Sequence, residues 1–330
     1  MNLKKAYQGR RVLITGGLGF LGSNLAHELV TMGADVVLLD AMLPLYGGNE
    51  YNVADIRKSL TVVIGDVRDK ELVDQLTQGC DYVFHFAAQV SYIDSIADPW
   101  LDMQLNCAGL LNVLESCREH APQARIIFSS SRMVLGRLDY NPVDTSHPTQ
   151  PLSLYGAHKL TCEKYCAVYH RTYGLATVVL RISNPYGPRQ QMKHHKYCIL
   201  GWFMRQAMEG EDITIFGDGR QIRDYVYVSD VVSLFLRAGA SDETVGRVFN
   251  AGSGVGSRFA DAVEKIVNTV GRGRVKHVPW PEDYENIETG GFVADMAQEK
   301  KVLGWDDRVE LGAGLRLMYE YYIANSEHYW

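Results

Sequence analysis

Apolar residues in the first half of the chain fall into short, β-branched runs: RVLIT (11–15), VVLLD (36–40), LTVVIGD (60–66), DYVFHF (81–86), RIIFSS (125–130) and ATVVLRIS (176–183). Between them, longer segments such as LGSNLAHELVTMG, KELVDQLTQG and WLDMQLNCAGLLNVLESCREH repeat their apolar positions at helical spacing. A strand that is apolar at nearly every position is covered on both faces. The alternation therefore predicts an α/β fold, a doubly wound parallel sheet.

From Asn184 the rhythm changes. NPYGPRQQMKHHKY reads as loop, ILGWFMRQAMEG as helix, EDITIFG as strand and SDVVSLFLRAGA as helix, and VGRVFNAGSG reads as a strand returning to the sheet. FADAVEKIVNTVG (helix), VKHVPW (strand-like) and two helical stretches complete the chain. The expected organisation is a dinucleotide-type domain over 1–184, rejoined by 231–253. A smaller substrate lobe, from 185–230 and 254–330, is interleaved with it.

Composition narrows the function. The 330 residues are 46% hydrophobic and 22% charged with a net charge of −6, which argues against a nucleic-acid or anionic-membrane partner. The basic run GRGRVKH is expected to be a solvated turn between helix and strand. No apolar stretch approaches the ~20 residues of a membrane span, and the start lacks a signal-peptide pattern, so a cytoplasmic location is expected. Six scattered cysteines without a CxxC suggest buried small hydrophobes, and His194-His195 reads as polar loop; no metal is expected.

The first strand runs into GGLGFLG and then a helix, with Gly16, Gly19 and Gly22 in order. That arrangement makes a tight turn, lets bare backbone approach a pyrophosphate and aims a helix N-terminus at it. Asp40 ends the second strand, 18 positions beyond Gly22, where an acid takes ribose hydroxyls. The following AMLPLYGGNE holds no Lys or Arg to neutralise a 2′-phosphate, so NAD is expected rather than NADP. Asp66, with Val67, is placed at the adenine edge, although an N-cap for the next helix is an alternative.

Tyr155 and Lys159 lie one turn apart on one helix face. Making a phenol a base at neutral pH costs about 4 kcal/mol, and one cation ~5 Å away returns about 3 kcal/mol at an effective dielectric of ~20. Lys159 and an oxidised nicotinamide together suffice; either alone falls short. A serine among Ser129, Ser130 and Ser131, at the end of the fifth strand, can hydrogen-bond the reacting hydroxyl, while at least one of them is expected to cap its own backbone.

TGGLGFLG (15–22), HFAAQVS (85–91), FSSSRMVLG (128–136), YGAHK (155–159), RISNPYGPRQ (181–190), RDYVYVSDV (223–231) and FVADMAQEKKVLGW (292–305) together resemble the extended short-chain dehydrogenase/reductase family, in its nucleotide-sugar epimerase/dehydratase branch. The resemblance implies a triad of Ser131, Tyr155 and Lys159. It places Phe20 and Leu21 over the pyrophosphate, and Phe86, Ala87 and Ala88 along the dinucleotide. Asn106, Ser129 and Ser183 stand beside the dinucleotide. Ser91, Arg132, Asn184, Arg189 and Arg223 are implied on the side of the substrate, a nucleotide-diphosphate sugar. Homodimerisation through helices near 100–118 and 155–172 is implied as well.

Departures from the family pattern narrow the expectation. Where dehydratases and decarboxylases carry an acid two places after the triad Ser/Thr, this chain has Met133, and a thioether cannot move a proton. Leu135 and His158 replace the usual Tyr and Ser, and an arginine of some 4-epimerases is missing, with Glu288 nearby instead. The GPRQ, GWF, GDGRQIRD and FVAD pieces are similar to CDP-paratose/tyvelose 2-epimerases. The expected reaction is epimerisation, at C4 first and C2 second, by oxidation of a ring hydroxyl and hydride return to the other face. Net ketone reduction and a catalytically silent NAD-binding sensor are the alternatives.

Overall fold

The computed structural model describes residues 1–44, 46–280, 289–306 and 308–330. Glu288 therefore lies outside the described residues. Six strands follow the predicted runs: β1 (Arg11–Thr15), β2 (Asp35–Asp40), β3 (Thr61–Ile64), β4 (Tyr82–His85), β5 (Arg125–Ser131) and β6 (Ala176–Ile182). Later come β7 (Asn184–Tyr186), β8 (Asp212–Phe216), β9 (Ile222–Tyr227), β10 (Val248–Ala251), β11 (Gly256–Arg258) and β12 (Arg274–Val278).

The main sheet has seven strands in the order β10-β6-β5-β4-β1-β2-β3, with parallel pairing throughout. Val12 and Ile14 face one buried cluster with Leu25, Leu29 and Phe235, while Leu13 faces another with Leu110, Leu114, Cys162 and Cys166. This two-residue alternation puts helices on both faces. The strand order reverses at β1, whose neighbours are β2 and β4. Chain leaving β1 and β4 therefore diverges to opposite faces and opens a crevice at the strands' C-terminal ends.

Outside this sheet lie a β11-β9-β7 sheet and a parallel β12-β8 pair. Asn184–Tyr186, read as loop, is strand β7, because Asn184, Pro185 and Tyr186 pair with Tyr225, Val226 and Tyr227 of β9, a partner supplied by distant sequence. GRGRVKH spans the end of the helix Phe259–Val270 and the start of β12, and Arg274 and Lys276 pair with Asp212. Five of the six cysteines are buried, and all six are free. Among the described residues no helix is long and apolar enough to cross a membrane.

Candidate active site

The glycine turn is packed against the end of β4. A Cβ on Gly16, which has φ +69°, would come within 2.7 Å of the Ala87 nitrogen, and one on Gly22 within 2.3 Å of the Gly16 carbonyl. No side chain fits in either place, so the helix Phe20–Thr31 starts flush against the strand ends. Asp40 closes β2, where its Oδ2 accepts from the Leu18 N–H (3.0 Å) and its Oδ1 from the Met42 N–H (2.9 Å). Burial raises its carboxyl above the ordinary range, and these two bonds oppose that. Asp66 does not cap the next helix; Asp69 does. Asp66 instead takes the Arg68 guanidinium through both oxygens, which holds its carboxyl low.

Each serine of β5 has its own task. The Ser129 carbonyl accepts from Lys159 Nζ (3.1 Å). Ser130 donates to Glu163 (2.6 Å), itself in a buried pair with Arg181. Ser131 Oγ accepts from the Met133 N–H at the start of a short 3-10 turn and stands beside the Tyr155 phenol, where it favours the ionised form. The helix Leu154–Tyr173, capped by Ser153 Oγ on the Gly156 N–H, brings Tyr155 and Lys159 to this point. The Lys159 amine lies 5.9 Å from the Tyr155 ring centre and 5.0 Å from that of Phe128.

In the protein alone, burial raises the Tyr155 phenol above an ordinary tyrosine, and Ser131 is the influence that lowers it. Burial likewise lowers Lys159. Desolvation thus works against both charged forms, so a further cation matters more than a water-like estimate suggests. His85, beneath them on β4, is pushed down to about 3, first by burial and then by Lys159, and is neutral.

These groups share one cavity of about 690 Å³. Gly16, Gly19, Phe20, Leu21, Gly22, Asp40, Asp66, Val67, Phe86, Ala87, Ala88, Ser129 and Ser183 line it, together with Ser131, Arg132, Tyr155, Lys159, Asn184 and Arg223. Arg132 donates to Thr289 (2.9 Å), and Arg223 to the Gly290 carbonyl (2.9 Å).

Three predicted residues do not reach the wall. Ser91 is fully buried, capping the helix Tyr92–Ala97 and clasped by Gln89. Asn106 is buried, and its amide donates to the Gln89 carbonyl (3.1 Å). Arg189 turns the other way, where it is held by Asn52, Asn24 and His27 and lies over Tyr321.

Sequence reasoning missed the aromatic end of the cavity, formed by Trp202, Phe203, Phe216, Phe259 and Trp280. Four separate segments supply these rings, and no spacing rule links them. It also missed Tyr225, which lines the cavity and whose buried hydroxyl has no hydrogen-bond partner among the described residues.

A family model described as the NAD dependent epimerase/dehydratase family matches residues 12–252. The chain belongs to that family. This family member is 32% identical over 323 residues to a UDP-glucose 4-epimerase of Mycolicibacterium smegmatis (96% of this chain, 100% of the relative). It is 30% identical over 340 residues to a CDP-paratose 2-epimerase of Salmonella typhi (94% and 98%). A UDP-glucose 4-epimerase of Thermus thermophilus, solved with NAD, superposes with a TM-score of 0.85 at 30% identity (96% and 99%). Relatives named dTDP-glucose 4,6-dehydratase match to a similar extent. The chain is thus an extended short-chain dehydrogenase/reductase with NAD as its cofactor. The bare glycine cradle and the inward Asp40 are the features that fit the dinucleotide.

Proposed function

We propose that the protein is an NAD-dependent epimerase of a nucleotide-diphosphate sugar. In this reading it inverts a ring carbon, C4 before C2, through a transient ketone. The observation that carries the reading is Met133 in the wall of the catalytic cavity, its backbone bound to Ser131. A dehydratase needs an acid at that place, and a thioether has no proton to give. Bound NAD supplies the hydride acceptor and donor.

The residues divide the remaining work. Gly16, Gly19 and Gly22, with Phe20 and Leu21, admit the pyrophosphate, and Asp40 accepts from the ribose hydroxyls. Tyr155 takes the proton from the ring hydroxyl and gives it back. Ser131 donates to the oxygen on which charge develops, and Lys159 supplies the positive field that favours phenolate. Asn184, Arg132 and Arg223 hold the diphosphate and sugar, and the lobe of 185–230 and 254–330 receives the nucleoside against its aromatic rings.

Replacing Tyr155 by Phe is expected to lower turnover at least a hundredfold yet leave NAD bound. A panel of UDP-, GDP-, CDP- and dTDP-sugars in deuterated water, read by NMR, tests both points. Near-normal turnover by the variant, or solvent deuterium at the inverted carbon, rules the mechanism out.

The homodimer belongs to the same proposal. Trp100 (72% exposed), Leu111, Leu154 and Val168 present apolar surface on the helices expected to pair. Trp100→Glu is expected to halve the mass seen by light scattering; an unchanged mass argues against this face.

A further inference from the structure

A buried titratable pair that this mechanism leaves unused stands next to Lys159. His158 precedes it on the helix Leu154–Tyr173, and its Nδ1 is hydrogen-bonded to Asp102 Oδ1 on the adjoining helix Pro99–Met103. The Asp102 side chain has no solvent exposure, and that of His158 retains 17%. Burial raises the Asp102 carboxyl and the His158 bond opposes that rise; when ionised, the carboxylate only accepts, so the ring proton then sits on Nδ1 and donates to Oδ1. The other oxygen, Oδ2, is buried without a partner among the described residues. Holding a carboxylate out of water on so few bonds is unfavourable for stability alone.

Lys159 has need of such an anion. The residue is 3% exposed, and its amine donates to a neutral carbonyl, that of Ser129. The titratable groups facing it are Asp102 and Cys107 from the neighbouring helical run, Tyr155 and Cys162 from its own helix, and His85 from β4. Asp102 is the one carboxylate in that set, and its charge favours the ammonium over the neutral amine. Asp102 in turn faces His158, Lys159 and, from the loop after β2, Tyr46.

We propose that Asp102 and His158 form a positioning pair for the catalytic helix: a buried anion, pinned by the imidazole, that keeps the Lys159 amine charged beside Tyr155. The inference rests on reading Tyr155 as the base. The same anion opposes phenolate formation, so it moves the ionisation of lysine and tyrosine upward together and sets where on the pH scale the site works. Without His158, the carboxylate loses its donor and takes up a proton, which removes the charge by another route.

The test needs no sugar. In the NAD-saturated protein, subtracting the phenolate absorbance titration of a Tyr155→Phe variant isolates the midpoint of Tyr155. Asp102→Asn is expected to lower that midpoint by about one pH unit through the lost repulsion, and to lower by a similar amount the midpoint of the Lys159 amine, read by NMR of isotope-labelled lysine side chains; an unmoved lysine midpoint overturns the proposal. His158→Ala should move the Tyr155 midpoint in the same direction. His158→Asn, whose amide can occupy the Nδ1 position, should restore the wild-type value. A midpoint unmoved by Asp102→Asn, or moved equally by both His158 variants, overturns the proposal. Should Asp102→Asn fail to give a cooperative melt, the two His158 variants carry the test. An unmoved midpoint alongside an inactive Tyr155→Phe removes only this inference, whereas an active Tyr155→Phe removes the reading beneath it.

Discussion

A phenol buried against Ser131 is harder to ionise than one in water, so the chemistry of Tyr155 belongs to its surroundings more than to its residue type. The same holds for Glu299, which is fully buried with Oε1 accepting from the Asn250 N–H (2.6 Å) and Oε2 without a partner among the described residues. Burial raises its carboxyl from 4.5 to about 7. The folded state then holds a proton that the unfolded chain has released, so this residue's contribution is full below pH 4.5 and is lost as the pH rises through about 7. Glu299→Gln should remove that slope. The stability of the variant relative to wild type should rise by on the order of 3 kcal/mol between about pH 4.5 and 8 in denaturant titrations; parallel curves would show that the carboxyl stays charged. At this scale the sequence anticipated which residues the cavity gathers where local spacing decides it, as at Gly16, Gly19, Gly22, Asp40, Tyr155 and Lys159. It was not legible at Ser91, Asn106 and Arg189, whose side chains are claimed by Gln89 and by Asn52, Asn24 and His27.

Among the elements, the helix Leu154–Tyr173 carries most of the proposed chemistry, and its position depends on one missing side chain. A Cβ on Gly156 would come within 2.5 Å of the Met133 carbonyl, in the turn that follows Ser131. Gly156→Ala must therefore push the helix and the β5 terminus apart. Turnover is expected to fall at least tenfold, because displacements near 1 Å are costly in catalysis, while the variant remains folded. Circular dichroism melts beside rate measurements check this; equal rates would mean that the turn simply yields. The helix at Leu154–Tyr173 was readable from periodicity, but the closeness to Met133 was not, since it joins two elements through backbone atoms. The same limit applies to the π-helical turn Gln104–Ala108, which interrupts an otherwise regular helical pattern and sends the Asn106 carbonyl to the Cys162 thiol.

For the molecule as a whole, alternation of apolar runs was enough to anticipate the parallel sheet and the return of the strand at Val248–Ala251, because burial on both faces leaves a compositional trace. The aromatic end of the cavity left none, being assembled from segments with separate neighbours. That returning strand has a consequence for how the protein is made. β10 covers the edge of β6, yet 65 residues lie between Ile182 and Val248, including the helix Val228–Ala240. While a ribosome is still translating that interval, the emerging polypeptide holds the sheet without β10 and leaves the longer β6 as its edge, the kind of surface on which other chains nucleate aggregates. Slower translation of that interval is therefore expected to increase aggregation of the nascent chain, and a chaperone shielding the β6 edge to reduce it.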